Sequence, residues 1–158
     1  MKTFTDNEGR TWEISINVAT IRRLRDALGV DLLKIVEPGN DLLERFSTDP
    51  VLLADCIFVL CREQARQRNI SDEQFGQALA GDAIDAATSA FLEELVNFFP
   101  TSKRLLLTKI LEKVRQATER LTQAVSQRID QIDVEKIVAS SMQEVSGSSS
   151  TSSQASSE

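Results

Sequence analysis

Apolar and polar positions alternate near the start of the chain and then change period. In "TFTDNEGRTWEISI" the residues Trp12, Ile14 and Ile16 alternate with polar ones, and Asp6-Asn7-Glu8-Gly9 supplies turn chemistry. This pattern predicts a β-hairpin with Phe4 beside Trp12 across the pair. Two short strands are unstable alone, so their apolar face must rest on helices. From Asn17 the spacing turns helical. Val18, Ile21, Leu24 (or Arg25) and Leu28 form a stripe between a capping Asn17 and a terminating Gly29. "DLLKIV" and "NDLLERF" read as two short helices separated by the turn Pro38-Gly39.

"DPVLLADCIFVLCREQARQRN" predicts a central buried helix. Asp49 is its N-cap, and Pro50 fills the first helical position, where a missing N–H costs nothing. Its first three turns are apolar nearly all round, and its basic end suits the negative pole of the helix dipole. "SDEQFGQALAG" predicts a further helix capped by Ser71 and closed at Gly81. "DAIDAATSAFLEELVNFF" predicts another, capped by Asp82 and stopped by Pro100, with a stripe of Ile84, Ala87, Phe91, Leu95 and one of Phe98 or Phe99.

After Pro100, Thr101 or Ser102 caps a long helix running from about residue 103 to at least 130. Its seam is Leu107, Leu111, Val114, Thr118, Leu121, Val125, Arg128 and Ile132, spaced alternately four and three apart, the coiled-coil period. Six of these eight are apolar. Two outcomes fit this narrow stripe: a projecting arm, or a helix folded back on the body. From Ser146 eight of thirteen residues are serine, too polar to offset the entropy of ordering. The expected fold is therefore mainly α. An N-terminal β-hairpin packs on a helical domain over 1–100, an amphipathic helix covers 101–136, and a low-complexity, disordered tail covers 137–158.

Charge sharpens the division at Pro100. The net charge of −6 does not point to nucleic acid or to an anionic membrane. Residues 1–100 carry 10 Lys/Arg against 17 Asp/Glu, whereas 101–136 carry 8 against 5. An acidic body thus precedes a basic segment. Lys103, Arg104, Lys109, Lys113, Arg115 and Arg120 form a basic run with no aromatic for base stacking, and Glu112 and Glu119 dilute it. It reads as the solvated flank of a coiled coil, suited also to an acidic protein partner. The N-terminus lacks the apolar core of a signal peptide, and the longest apolar run, 51–61, is too short to cross a membrane. A cytoplasmic protein is expected.

Candidate chemistry is sparse. The chain has no His and no Tyr, which removes the commonest general base and a common proton donor. Glu93 and Glu94 read as a solvated face, and Asp55 as an acid at the rim of the central helix or paired with an arginine. Cys56 and Cys61, five residues apart on one helix, point about 140° apart and cannot pair within it. They read as core residues. No glycine cluster resembles a phosphate loop, and no metal or cofactor site is expected.

Three stretches resemble the small tail assembly chaperones of long-tailed bacteriophages and prophages: "FTDNEGRTWEISINVATIRRLRDALGVDLL", "DPVLLADCIFVLCREQARQRNISDEQFGQAL" and "DAIDAATSAFLEELVNFFP". The resemblance covers roughly residues 3–115 and is a pattern of helices and caps; the serine-rich end departs from it. It implies a non-enzymatic, small, acidic, helical protein that binds the tape-measure protein, helps recruit tail-tube subunits and is absent from the finished virion. A longer product of translational frameshifting occurs in some such families. On this view Phe99, Leu107, Leu111, Val114, Leu121 and Val125, flanked by Lys113 and Arg120, form the partner-binding stripe. The same stripe suits a homo-oligomer. The competing expectations are a structural tail or adaptor subunit retained in the particle, and a helical adaptor unrelated to phage.

Overall fold

The structure, a computed structural model, describes residues 1–132 and 134–146. Two compact units divide the chain, Met1–Leu111 and Glu112–Glu158. In the first, the hairpin strands β1 (Lys2–Thr5) and β2 (Thr11–Ile14) pair antiparallel, with Phe4 opposite Trp12. Helices α1 (Val18–Leu28), α2 (Leu42–Thr48), α3 (Pro50–Gln67), α4 (Asp72–Ala78) and α5 (Asp82–Phe98) follow, with a 3-10 turn over Leu32–Val36 between α1 and α2. Helix α6 (Thr101–Asp130) gives its first three turns to this unit and the rest to the second, which also holds α7 (Val134–Ser146). The protein is mainly α with an N-terminal hairpin.

Local chemistry explains most boundaries. Asn17 and Thr20 form a reciprocal capping box at α1, and Ser71 and Gln74 form another at α4. Asp49 caps α3 by accepting from the Leu52 amide at 3.0 Å, with Pro50 in the first turn. Gly29 ends α1 at φ 65°, a left-handed conformation that costs glycine no Cβ clash. Two expected caps are corrected. Gly81 holds the N-cap of α5 and Asp82 lies inside its first turn. At α6 the Pro100 carbonyl accepts the first helical bond, from the Arg104 amide at 2.8 Å, so Thr101 and Ser102 are already helical.

One apolar core fills the first unit. The inward face of the hairpin (Phe4, Trp12, Ile14) meets α3 (Cys56, Ile57, Leu60, Cys61), α4 (Phe75) and α5 (Ala87, Phe91, Leu95). Phe75 stands edge-on to Trp12 at 4.8 Å between ring centroids, and Phe46 edge-on to Phe91 at 5.5 Å, the geometry aromatic quadrupoles prefer. Cys56 and Cys61 are free and buried, and burial pushes each thiol up to about 12, so both stay protonated and inert.

Polar groups fix the hairpin's position. Asp6 is 4% exposed. Its carboxylate accepts from the Glu8 and Arg10 amides, from Arg10 Nε at 2.7 Å and from Trp12 Nε1 at 2.8 Å. The Asn7 amide and side chain donate to the Ala78 and Ala80 carbonyls, pinning the turn to the α4–α5 connection. On the outer edge of β2 the Gln64 side-chain amide donates to the Glu13 carbonyl at 2.7 Å and accepts from the Glu13 amide at 3.0 Å. One side chain thereby supplies both bonds that a third strand would make at that residue, closing an edge open to unwanted pairing.

One expectation about the acids and one about the tail change. Asp55 is exposed, as a rim position requires, but Glu94 is only 7% exposed, with its Oε2 3.0 Å from the Met1 ammonium. Glu93 does lie on the solvated face. The two glutamates are 100° apart on α5, and α5 packs along β1, so the turn of the helix carries Glu94 beneath the strand. Residues 137–146, assigned by composition to a disordered tail, form most of α7. The serine-rich stretch from 147 onward lies outside the described residues.

Candidate protein-binding surface

The corner at Pro100 separates two kinds of apolar residue. Pro100 cannot donate a backbone hydrogen bond and disfavours helical geometry in the residue before it. Phe99 accordingly adopts an extended conformation, φ −77° and ψ 148°. Its ring turns into the core at 3% exposure and meets Phe98 edge-on at 5.5 Å. Arg104 locks the corner by donating to the Asn97 carbonyl at 3.0 Å and the Phe99 carbonyl at 3.3 Å, two of the acceptors left unpaired at the end of α5.

The expected partner stripe therefore divides. Phe99 and Leu107 are buried in the core of the first unit, so these two do not offer a free partner surface, and Leu111 packs half-buried against it. The physical reason is that a four-three spacing specifies a helix face without saying what covers it, and here the core covers that face of the first turns of α6 at Leu107. Val114 is half-buried. Leu121 is 67% exposed and Val125 48%, with Lys113 and Arg120 exposed among them. Glu112 and Glu119 both approach Arg115, at 3.2 and 3.9 Å. These pairs are solvated and add little stability.

The exposed face extends beyond the residues expected. Ile129 on the last turn of α6 and Ile132 just past it continue it, and Val134, Ile137, Val138 and Met142 lie at helical spacing on α7, all of them large and exposed. The helical spacing 134, 137, 138, 142 was the sequence signal for this second face. Eight large apolar residues between Leu121 and Met142 are thus exposed, against Met1, Val18, Leu33, Val51 and the adjacent Leu105 and Leu106 in the first unit. Exposed large apolar residues concentrated in one segment mark candidate interaction sites.

The body has a hollow of about 280 Å³, lined by Lys2, Leu92, Glu93, Val96, Asn97, Thr108 and Leu111. Lys2 and Glu93 pair across it at 2.6 Å, and the Glu93 hydrogen bond and charge hold the Lys2 ammonium above the usual lysine range. Its remaining lining is apolar or neutral. Among the described residues no three His, Cys, Asp or Glu side chains gather as metal ligands, and no helix is long and apolar enough to cross a membrane.

Fold and surface together define a mainly helical protein: a closed hairpin-and-helix body, and a C-terminal unit whose helices present apolar faces. No protein-family model matches the chain, and no curated protein or solved structure matches it significantly.

Proposed function

We propose that the protein is a non-enzymatic tail assembly chaperone of a long-tailed phage or prophage, which shields the helices of a tape-measure-type client until tail-tube subunits enclose them. The resemblance of residues 3–115 suggests the class. The observation that carries the reading is the run of eight exposed large apolar residues from Leu121 to Met142 on helices with charged flanks. A helical client is recognised by laying its apolar stripe against such a face, while the flanking charges keep the free surface soluble and discriminate between partners. Each side chain buried contributes about 1.5–3 kcal/mol before the cost of association, enough for reversible capture of a client.

Co-expression with the tape-measure protein from the same gene cluster is expected to raise soluble client several-fold and to yield a co-purifying complex. The double substitution Ile137→Asp/Val138→Asp should abolish both effects while leaving the melting curve of the body unchanged. A client equally soluble with and without the protein would defeat the proposal. Stoichiometric retention in purified particles would replace it with a structural subunit.

A further inference from the structure

The exposed seam of α6 is self-complementary in one direction only. Beyond the compact body it reads Val114, Thr118, Leu121, Val125 and Arg128, and Ile132 follows in the turn just past the last residue of α6, its amide donating to the Ile129 carbonyl at 3.0 Å. Those positions are symmetric about Gln123. Two copies laid antiparallel and centred there stack Val114 on Ile132, Thr118 on Arg128 and Leu121 on Val125, with each layer repeated by symmetry. Every apolar position meets an apolar one, and both polar positions meet each other. A parallel, in-register pair instead sets Arg128 against Arg128 inside the seam, where like charges cost most.

The side chains are placed for this. Leu121, Val125 and Ile132 are exposed and Val114 is half-buried. Thr118 spends its hydroxyl on its own helix, donating to the Val114 carbonyl at 3.0 Å, so it brings no unmet donor into the seam. Ile129 and the small Ala117 and Ala124 flank the layers and allow close approach. Val114 to Asp130 spans about 24 Å of helix at 1.5 Å per residue, with Ile132 in the turn that follows. Six layers with their flanks would bury roughly 700 Å² per copy, near the ~800 Å² per partner of a standard interface. A pair of helices this short with two polar layers is weak, so association should be reversible and concentration-dependent.

We infer that the partner of the α6 seam is a second copy of this chain, bound antiparallel about Gln123, which leaves the apolar face of α7 for other contacts. The inference does not depend on the chaperone reading, because its test uses the purified chain alone.

Sedimentation equilibrium of the full chain should show a reversible monomer–dimer equilibrium. Leu121→Asp should abolish it. Thr118→Leu/Arg128→Leu, which makes every layer apolar, should tighten it at least tenfold. None of these residues belongs to the buried core, so circular dichroism should show an intact fold in each variant. Orientation is read by electron–electron resonance between spin labels at Gln116→Cys or at Gln123→Cys; the buried Cys56 and Cys61 do not compete for label. The antiparallel pair sets labels at 123 level with each other and offsets those at 116 by roughly 21 Å along the axis, so the 116 distance is the longer. A monomer at every concentration, or a dimer with equal distances at the two positions, would overturn the inference.

Discussion

Replacing Asp6 with alanine should unfold the hairpin's anchor and cost about 3–5 kcal/mol, the range found when one partner of a buried, charge-assisted network is removed. The substitution strips the acceptor from Trp12 Nε1 and Arg10 Nε and from the Glu8 and Arg10 amides at once. One Arg10 Nη atom is already buried without a hydrogen-bond partner, so the guanidinium depends on Asp6 for its neutralising contact. The Arg68 guanidinium, 4.7 Å from the centre of the Trp12 ring, remains but cannot accept the indole proton. Denaturant unfolding should show the loss directly. Asp6→Asn, which keeps the shape and one acceptor oxygen, should lose less.

The same carboxylate sets an acid limit. Burial by itself would raise its pKa, but the hydrogen bonds from Trp12 and Arg10 and the Arg10 charge outweigh burial and hold it below the usual aspartate value. A carboxyl lowered in the folded state contributes stability that is fully present above the unfolded pKa, near 3.9, and is lost as pH falls through the folded value. Above pH 5 the cost of Asp6→Ala should therefore be flat. It should shrink as pH falls below about 4, because the wild-type protein loses this contribution and the variant has none to lose.

Leu107→Ala should cost about 2–5 kcal/mol, whereas Leu121→Ala should lie within about 0.5 kcal/mol of wild type when measured on the monomer. The two leucines lie fourteen residues apart, two heptads, at equivalent seam positions of one helix. Leu107 is fully enclosed by the core of the first unit, and shortening it leaves a cavity the neighbours cannot fill. Leu121 is two-thirds exposed and loses little by truncation. Guanidinium melts of the two variants at low protein concentration make the comparison. Equal losses would mean that α6 is packed along its whole length.

What could be read from the sequence was what is decided locally. Asn17, Ser71, Asp49 and Gly29 act through bonds to residues three or four away, so their side chains alone specify the cap. The hairpin followed from a two-residue period and a turn containing Gly9. What could not be read depends on which distant segment lies opposite. Glu94 looks like its neighbour Glu93 until β1 is laid over one side of α5. Asp6 reads as an ordinary turn residue, since its acceptors are filled by an indole six positions on and by an arginine whose direction the turn dictates. Leu107 and Leu121 occupy the same heptad position, and only the path of the chain through Pro100 separates core from surface. Composition also over-ruled periodicity in α7, where three serines near its end masked an apolar spacing already present from Val134 to Met142.

The division of α6 at Leu111 leaves one stretch of the helix to hold the fold together and the other exposed for binding. Native-state hydrogen exchange along that helix, at a concentration low enough to keep the chain monomeric, tests it most directly. Amides from Arg104 to about Leu111 should exchange only through global unfolding of the body, while those from Lys113 to Asp130 should exchange through local opening, orders of magnitude faster. Uniform protection from Arg104 to Asp130 would mean that α6 has no such division.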